Sequence, residues 1–184
     1  DEDDRWRLAL RGLHHLLLDF GFDLEARLRA RDPLPVRAAD RRHAVTLGGG
    51  MAPYVWTIDG RTWNDHRPLD VRSGERVEIE IRNPTMMAHP MHLHGHHFQV
   101  VAVDSQRFAG ALRDTVLVPP MRSVTVALDA DNPGRWAFHC HQLYHMAAGM
   151  MGVGEVFSHG ERMPAKSTYF YPKLLTGLVI NPLE

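Results

Sequence analysis

Five histidines occupy ten positions in HPMHLHGHHF, residues 89–98, and three more fall in HCHQLYHMAAGM, residues 139–150. Eight of the 13 histidines in the chain therefore sit in two short windows. Each imidazole titrates and needs a hydrogen-bond partner or a metal. The first window is internal and irregular, and it is interleaved with Pro90, Met91, Leu93 and Phe98. A solvated loop or a tag does not account for that pattern.

The only cysteine, Cys140, has a histidine on each side, with His145 five residues on and Met150 ten residues on. One thiolate, two imidazoles and a distant thioether form a trigonal copper set with a weak axial sulfur, suited to electron transfer. The second imidazole must come from the other window, and His89 is the natural candidate. In a strand, neighbouring side chains point to opposite faces. His139 and His141 would then face away from Cys140 and meet His92 and His94, an HxH pair on an extended segment. Four imidazoles without a thiolate suit further copper ions able to handle dioxygen. The peptide links from Cys140 to His139 and His141 would join the two sites.

Residues from about His43 read with a period of two. HAVTLGGGM, YVWTIDGRTW, PLDVRSGERVEIEIRN, FQVVAVDSQ, DTVLVPP, RSVTVALDA and DNPGRWAFHC are short strand candidates divided by Gly, Pro, Asn and Asp. So many strands in so short a stretch predict an all-β Greek-key sandwich or barrel. Residues 1 to about 32 read as helical. Trp6, Leu10, Leu13, Leu17 and Phe20 recur at helical steps up to Gly21, and a second short helix is expected from Asp23 to Arg31, before Pro33 and Pro35. The expected organisation is a helical arm or linker over 1–43, the copper domain over 44–158 and an extension over 159–184.

The totals exclude several classes. A net charge of −1 gives no footprint for nucleic acid or a membrane surface. No apolar run reaches the length of a membrane span. A single cysteine allows no intrachain disulfide. DEDDRWRLALRG lacks the basic end and apolar block of a signal peptide, so the expectation is either no export or a leader removed upstream.

The paired windows, with YVWTIDGRTW, GERVEIEIRNPTMMAHPMHLHGHHFQVV, RDTVLVPP and DNPGRWAFHCH, resemble the C-terminal cupredoxin domain of multicopper oxidases. LEARLRARDPLP followed by TLGGGMAPYVWTIDG is most similar to the bacterial copper-resistance protein A branch. The resemblance runs from about residue 24 to 157. It implies that His89, Cys140, His145 and Met150 are type 1 copper ligands, that His92 is a type 2 ligand, and that His94, His139 and His141 are type 3 ligands. It further implies that electrons pass from a reducing substrate, Cu(I) or phenol-like, through type 1 copper to a trinuclear site that reduces dioxygen to water. A periplasmic or otherwise exported setting follows from the family.

The family's trinuclear site uses eight histidines, and four match here. The rest belong to an N-terminal cupredoxin domain with two HxH motifs. The spare histidines, His14, His15, His43, His66, His96, His97 and His159, supply no new HxH pair. Four readings stay open: a partner domain or chain completes the site, the chain is part of a longer oxidase, it is a non-enzymatic type 1 carrier or copper-binding module, or it is a degenerate remnant that keeps the fold without activity. Met146, Ala147 and Ala148 stand where many relatives carry a proton-relaying carboxylate, and Asp114 is expected to brace the fold instead. His96 and His97 are expected to support the ligands, Trp56, Trp63 and Trp136 to fill the core, and Gly95 and Gly149 to mark close backbone approach. Met86, Met87, Met91, Met121 and Met146 could form a soft path for Cu(I) or pack around the copper.

Overall fold

The computed structural model describes residues 22–158. The expected first helix and C-terminal extension lie outside the described residues. Within them, a short helix α1 (Phe22–Arg27) precedes twelve strands. These are β1 (Arg41–Met51), β2 (Tyr54–Ile58), β3 (Leu69–Arg72), β4 (Arg76–Asn83), β5 (His89–Leu93), β6 (Phe98–Val103), β7 (Gln106–Arg107), β8 (Leu112–Arg113), β9 (Thr115–Val118), β10 (Arg122–Asp129), β11 (Gly134–Cys140) and β12 (Met151–Phe157). A second short helix, α2 (Leu143–Ala147), lies between β11 and β12.

The strands form the two layers of a β-sandwich. One sheet runs β2-β1-β4-β10-β6-β7, with β8 also on β6, and the other runs β3-β12-β11-β5-β9. The β1–β4 and β12–β3 pairs are parallel, and the remaining pairs are antiparallel. Alternation builds the core. Val77, Ile79 and Ile81 of β4 and Val124, Val126 and Leu128 of β10 face Met91, Leu93, Phe138 and Val156 of the other sheet. Each such fully buried aliphatic side chain contributes about 1.5–3 kcal/mol of hydrophobic stabilisation.

The same parity divides the histidine windows. His89, Met91 and Leu93 of β5 are buried, while Pro90 and His92 are half-buried on the outer face. Cys140 joins the core cluster. In the ladder, His139 stands opposite His92 and Cys140 opposite Met91.

Helix α1 ends four residues short of the expected Arg31. The chain then turns to pair with the sandwich, Ala30 N–H donating to Gly110 O at 3.0 Å and Leu34 N–H to Gln99 Oε1 at 3.0 Å. The buried Arg76 guanidinium clasps Asp129 through two bonds of 2.8 and 3.0 Å and donates to Pro35 O. Residues 28–40 are thereby fastened along the first sheet. Trp56 and Trp136 pack in or against the core, whereas Trp63 stays half-exposed and stacks on His66 at 4.6 Å.

Candidate copper centres

Two clusters among the described residues bring potential metal-binding atoms close together: His89, Cys140 and His145, and His92, His94 and His139. They lie on opposite faces of β5 and β11.

The first cluster is closed. His89 Nδ1 and His145 Nδ1 are 3.1 Å apart, and Cys140 Sγ is 3.8 Å from each. A triangle with sides of 3.1, 3.8 and 3.8 Å has its centre about 2.1 Å from every corner, the length of a first-row metal bond to imidazole or thiolate. The donor set and its spacing fit a copper ion. Helix α2 makes the five-residue spacing work, because one turn after Cys140 reverses the chain and returns His145 to the thiol. Met150 follows at once: Cys140 N–H donates to Met150 O at 3.1 Å, and Met150 N–H donates to His145 O at 3.0 Å. The Met150 side chain is fully buried beside this clamp. Gly149 permits the return. It sits at φ 120°, and a Cβ there would lie 2.7 Å from Trp56 O.

Trp56 is more than core filling. Its ring stacks on His145 at 4.2 Å and stands edge-on to His89 at 5.1 Å. Sequence reasoning assigned it to packing alone. The signal available was its place in YVWTIDG, which carried the family resemblance. Burial keeps both sulfur and nitrogen uncharged without metal. It pushes the Cys140 thiol up to about 11, and it pulls His89 down to about 4, with His145 adding a smaller effect. His145 is lowered by burial as well.

The second cluster is half open. His94 Nε2 and His139 Nε2 face each other at 3.0 Å. His139 is buried, His92 and His94 are partly exposed, and His141 is exposed. The His92 ring stands 4.6 Å from His94, 5.4 Å from His139 and 5.7 Å from His141. His141 is held by its backbone, which donates to Pro90 O at 2.6 Å. Burial lowers His139 to about 4 and lowers His94 too, so these rings offer lone pairs at neutral pH.

Backbone carbonyls orient the rings of this face. His92 Nδ1–H donates to Asp114 O at 2.9 Å, and His139 Nδ1–H donates to Cys140 O at 2.9 Å. Each leaves its Nε2 unprotonated, and that of His139 faces His94 Nε2. The expected support from His96 and His97 takes a different form. His96 is buried edge-on to Trp136, and His97 is exposed. The partners of His89, His92 and His139 are instead Thr85, Asp114 and Cys140. Gly95 makes the turn after β5 possible: at φ 72°, a Cβ there would lie 2.2 Å from the Trp136 ring. The Asp114 carboxylate accepts from Thr115 Oγ1, whose hydroxyl also touches His92 Nδ1 at 3.1 Å. The methionines divide. Met91 is fully buried core, while Met86 and Met121 are 79% and 61% exposed.

Residues 37–158 match the sequence profile of the multicopper oxidase family, and the chain belongs to that family. It is 51% identical over 106 residues to multicopper oxidase MmcO of Mycobacterium tuberculosis, covering 58% of this chain and 21% of that protein. It is 40% identical over 114 residues to a copper resistance protein A homolog of Pseudomonas syringae pv. tomato, covering 62% of this chain and 19% of the relative. Among solved structures, the McoA multicopper oxidase of Aquifex aeolicus superposes with a TM-score of 0.59 at 33% identity, over 68% of this chain and 31% of that one. The chain thus spans about a fifth of the length of these curated relatives.

Proposed function

We propose that this chain is the C-terminal copper domain of a larger multicopper oxidase. His89, Cys140, His145 and Met150 would hold type 1 copper, His92 would serve a type 2 ion, and His94, His139 and His141 would serve type 3 ions. Copper at these positions would supply one-electron oxidation of a reducing substrate, Cu(I) or phenol-like, and, with the missing histidines, reduction of dioxygen to water. The observation that carries the reading is the juxtaposition at one strand end: Cys140 Sγ meets two imidazole nitrogens on one face while His139 Nε2 meets His94 Nε2 on the other.

The residues of the chain act as holders and as a conduit. Cys140 is bonded through the backbone to His139 and His141, and its carbonyl also accepts the His139 Nδ1 proton. Two short routes therefore leave the thiolate for the four-histidine face. The buried Trp56 ring covers His145 at the inner site. The exposed outer face awaits a partner domain or chain carrying two HxH motifs. Family resemblance favours a periplasmic or otherwise exported setting, and no helix of the described residues is long and apolar enough to cross a membrane.

The test is copper counting with oxygen uptake. The isolated chain should take one tightly held copper with intense thiolate-to-copper absorption and consume no oxygen. Supplying the HxH-bearing domains should raise the copper count and start uptake with Cu(I) or a phenol. Blue absorption that never gains uptake would favour a non-enzymatic carrier. A copper-loaded chain without the thiolate band would sink both.

A further inference from the structure

His89 can bind copper through Nδ1 only if its ring is turned and protonated correctly, and the structure contains a short chain of bonds that does this. Asn83 ends β4 and is almost completely buried. Its Nδ2, with two protons to give, lies within hydrogen-bond distance of three carbonyls, Met87 O at 2.7 Å, Val118 O at 3.0 Å and Pro119 O at 3.0 Å. That crowd of acceptors fixes which end of the amide is which, and leaves Oδ1 facing Thr85. Thr85 N–H donates to Asn83 Oδ1 at 3.0 Å, the Asx-turn that suits Asn-Pro-Thr, and the Thr85 hydroxyl approaches the same oxygen at 2.7 Å.

A hydroxyl has one proton. Its shortest contact is to an amide oxygen that can only accept, and its second acceptor, Met87 O at 3.1 Å, also can only accept. The third neighbour is His89 Nε2 at 2.9 Å. With the hydroxyl proton committed to a carbonyl, the His89 ring must donate from Nε2 to the Thr85 oxygen. Its Nδ1 then carries a free lone pair, and that is the atom facing Cys140 Sγ and His145.

We infer that Asn83 and Thr85 are positioning residues for His89, setting its tautomer, its ring angle and its donor strength toward the type 1 metal. The inference rests on the ligand reading above and assigns residues which that reading does not use. An imidazole that donates its outer N–H gains negative character, becomes a stronger donor and favours Cu(II) over Cu(I). Asn83 extends the effect. Through its three carbonyl contacts it ties the 84–88 loop to the end of β9, so the position of Thr85 is set by the sheet and not by the loop.

The experiment loads the full chain with copper and compares Thr85→Val with Thr85→Ser. Valine keeps the shape and removes the acceptor. The expected result is a raised reduction potential, an altered thiolate-to-copper band and EPR hyperfine coupling, and copper affinity weaker by about 10- to 100-fold. Serine should restore all three. His89→Ala separates the two claims. If the thiolate band is absent from the native chain, the ligand reading and this inference fall together. If the band is present, is lost in His89→Ala and is unchanged with its potential and affinity in Thr85→Val, this inference alone is overturned. A measurement on the native chain covers the case of a variant that does not fold. In the Cu(I)-loaded protein the His89 Nε2 proton should exchange slowly with water by NMR, and fast exchange would refute the hydrogen bond.

Discussion

Around Cys140 the candidate ligand atoms of His89, Cys140 and His145 are enclosed by core side chains and by Trp56, and all three come from this one chain. Around His94 and His139, on the other face of the same two strands, His139 is buried but His92 and His94 are partly exposed among the described residues. Both sites use β5 and β11, so strand geometry is not what separates them. The difference is closure. Helix α2 and the Gly149 turn carry the chain back over Cys140 and deliver His145 and Met150. Among the described residues, nothing comparable returns over His92 and His94, where the chain leaves through Gly95 into the sandwich. A site closed by its own chain can be finished by local sequence, whereas an open face is finished by whatever docks on it.

The sharpest way to break this contrast is Cys140→Ser. It should abolish the intense thiolate-to-copper absorption completely while leaving the His94–His139 pair able to bind metal, read by a visible spectrum beside a copper count. Survival of the band would show that it does not arise from a copper–thiolate bond, because the chain has no other cysteine. A graded effect follows from protonation. The Cys140 thiol holds its proton below about 11, while His89 is already neutral above about 4. Loading the closed site therefore releases the thiol proton, and affinity should rise about tenfold for each pH unit gained across the neutral range. The open face has no thiol and should lack that slope, so chelator competition at several pH values distinguishes the two. The smallest effect comes from Gly95→Ala. A Cβ 2.2 Å from the Trp136 ring, at positive φ, should cost about 1–3 kcal/mol of stability in urea unfolding. It should disturb metal binding at the open face and leave the thiolate band in place.

Much of this arrangement was legible in the sequence because its periodicity is simple. Strict alternation in RVEIEI and SVTVAL announced strands with one buried face, and odd and even positions in HPMHLH and FHCH already divided the candidate ligands between two sides. The cupredoxin sandwich followed from the same strands and from the family motifs. Strand β12 escaped notice because MGVGEVF is interrupted by two glycines and shows no clean alternation. Helix α2 escaped because five residues are too few for a helical period to register. Yet α2 is what makes a five-residue spacing between Cys140 and His145 chemically useful.

The sequence by itself determined the candidate donor types, their two-sided parity and the presence of only the HxH steps at 92–96 and 139–141, since these depend only on residue identity and the two-residue repeat of a strand. Tertiary structure alone decided which groups orient the imidazoles. His96 and His97 are neighbours in sequence but leave that role to Thr85, Asp114 O and Cys140 O. Trp56 reaches His145 from a strand nearly ninety residues earlier. A hydrogen bond or a ring stack requires atoms to be close in space, and the ladder that brings β5, β9 and β11 together is set by packing of the whole sandwich, not by any one segment.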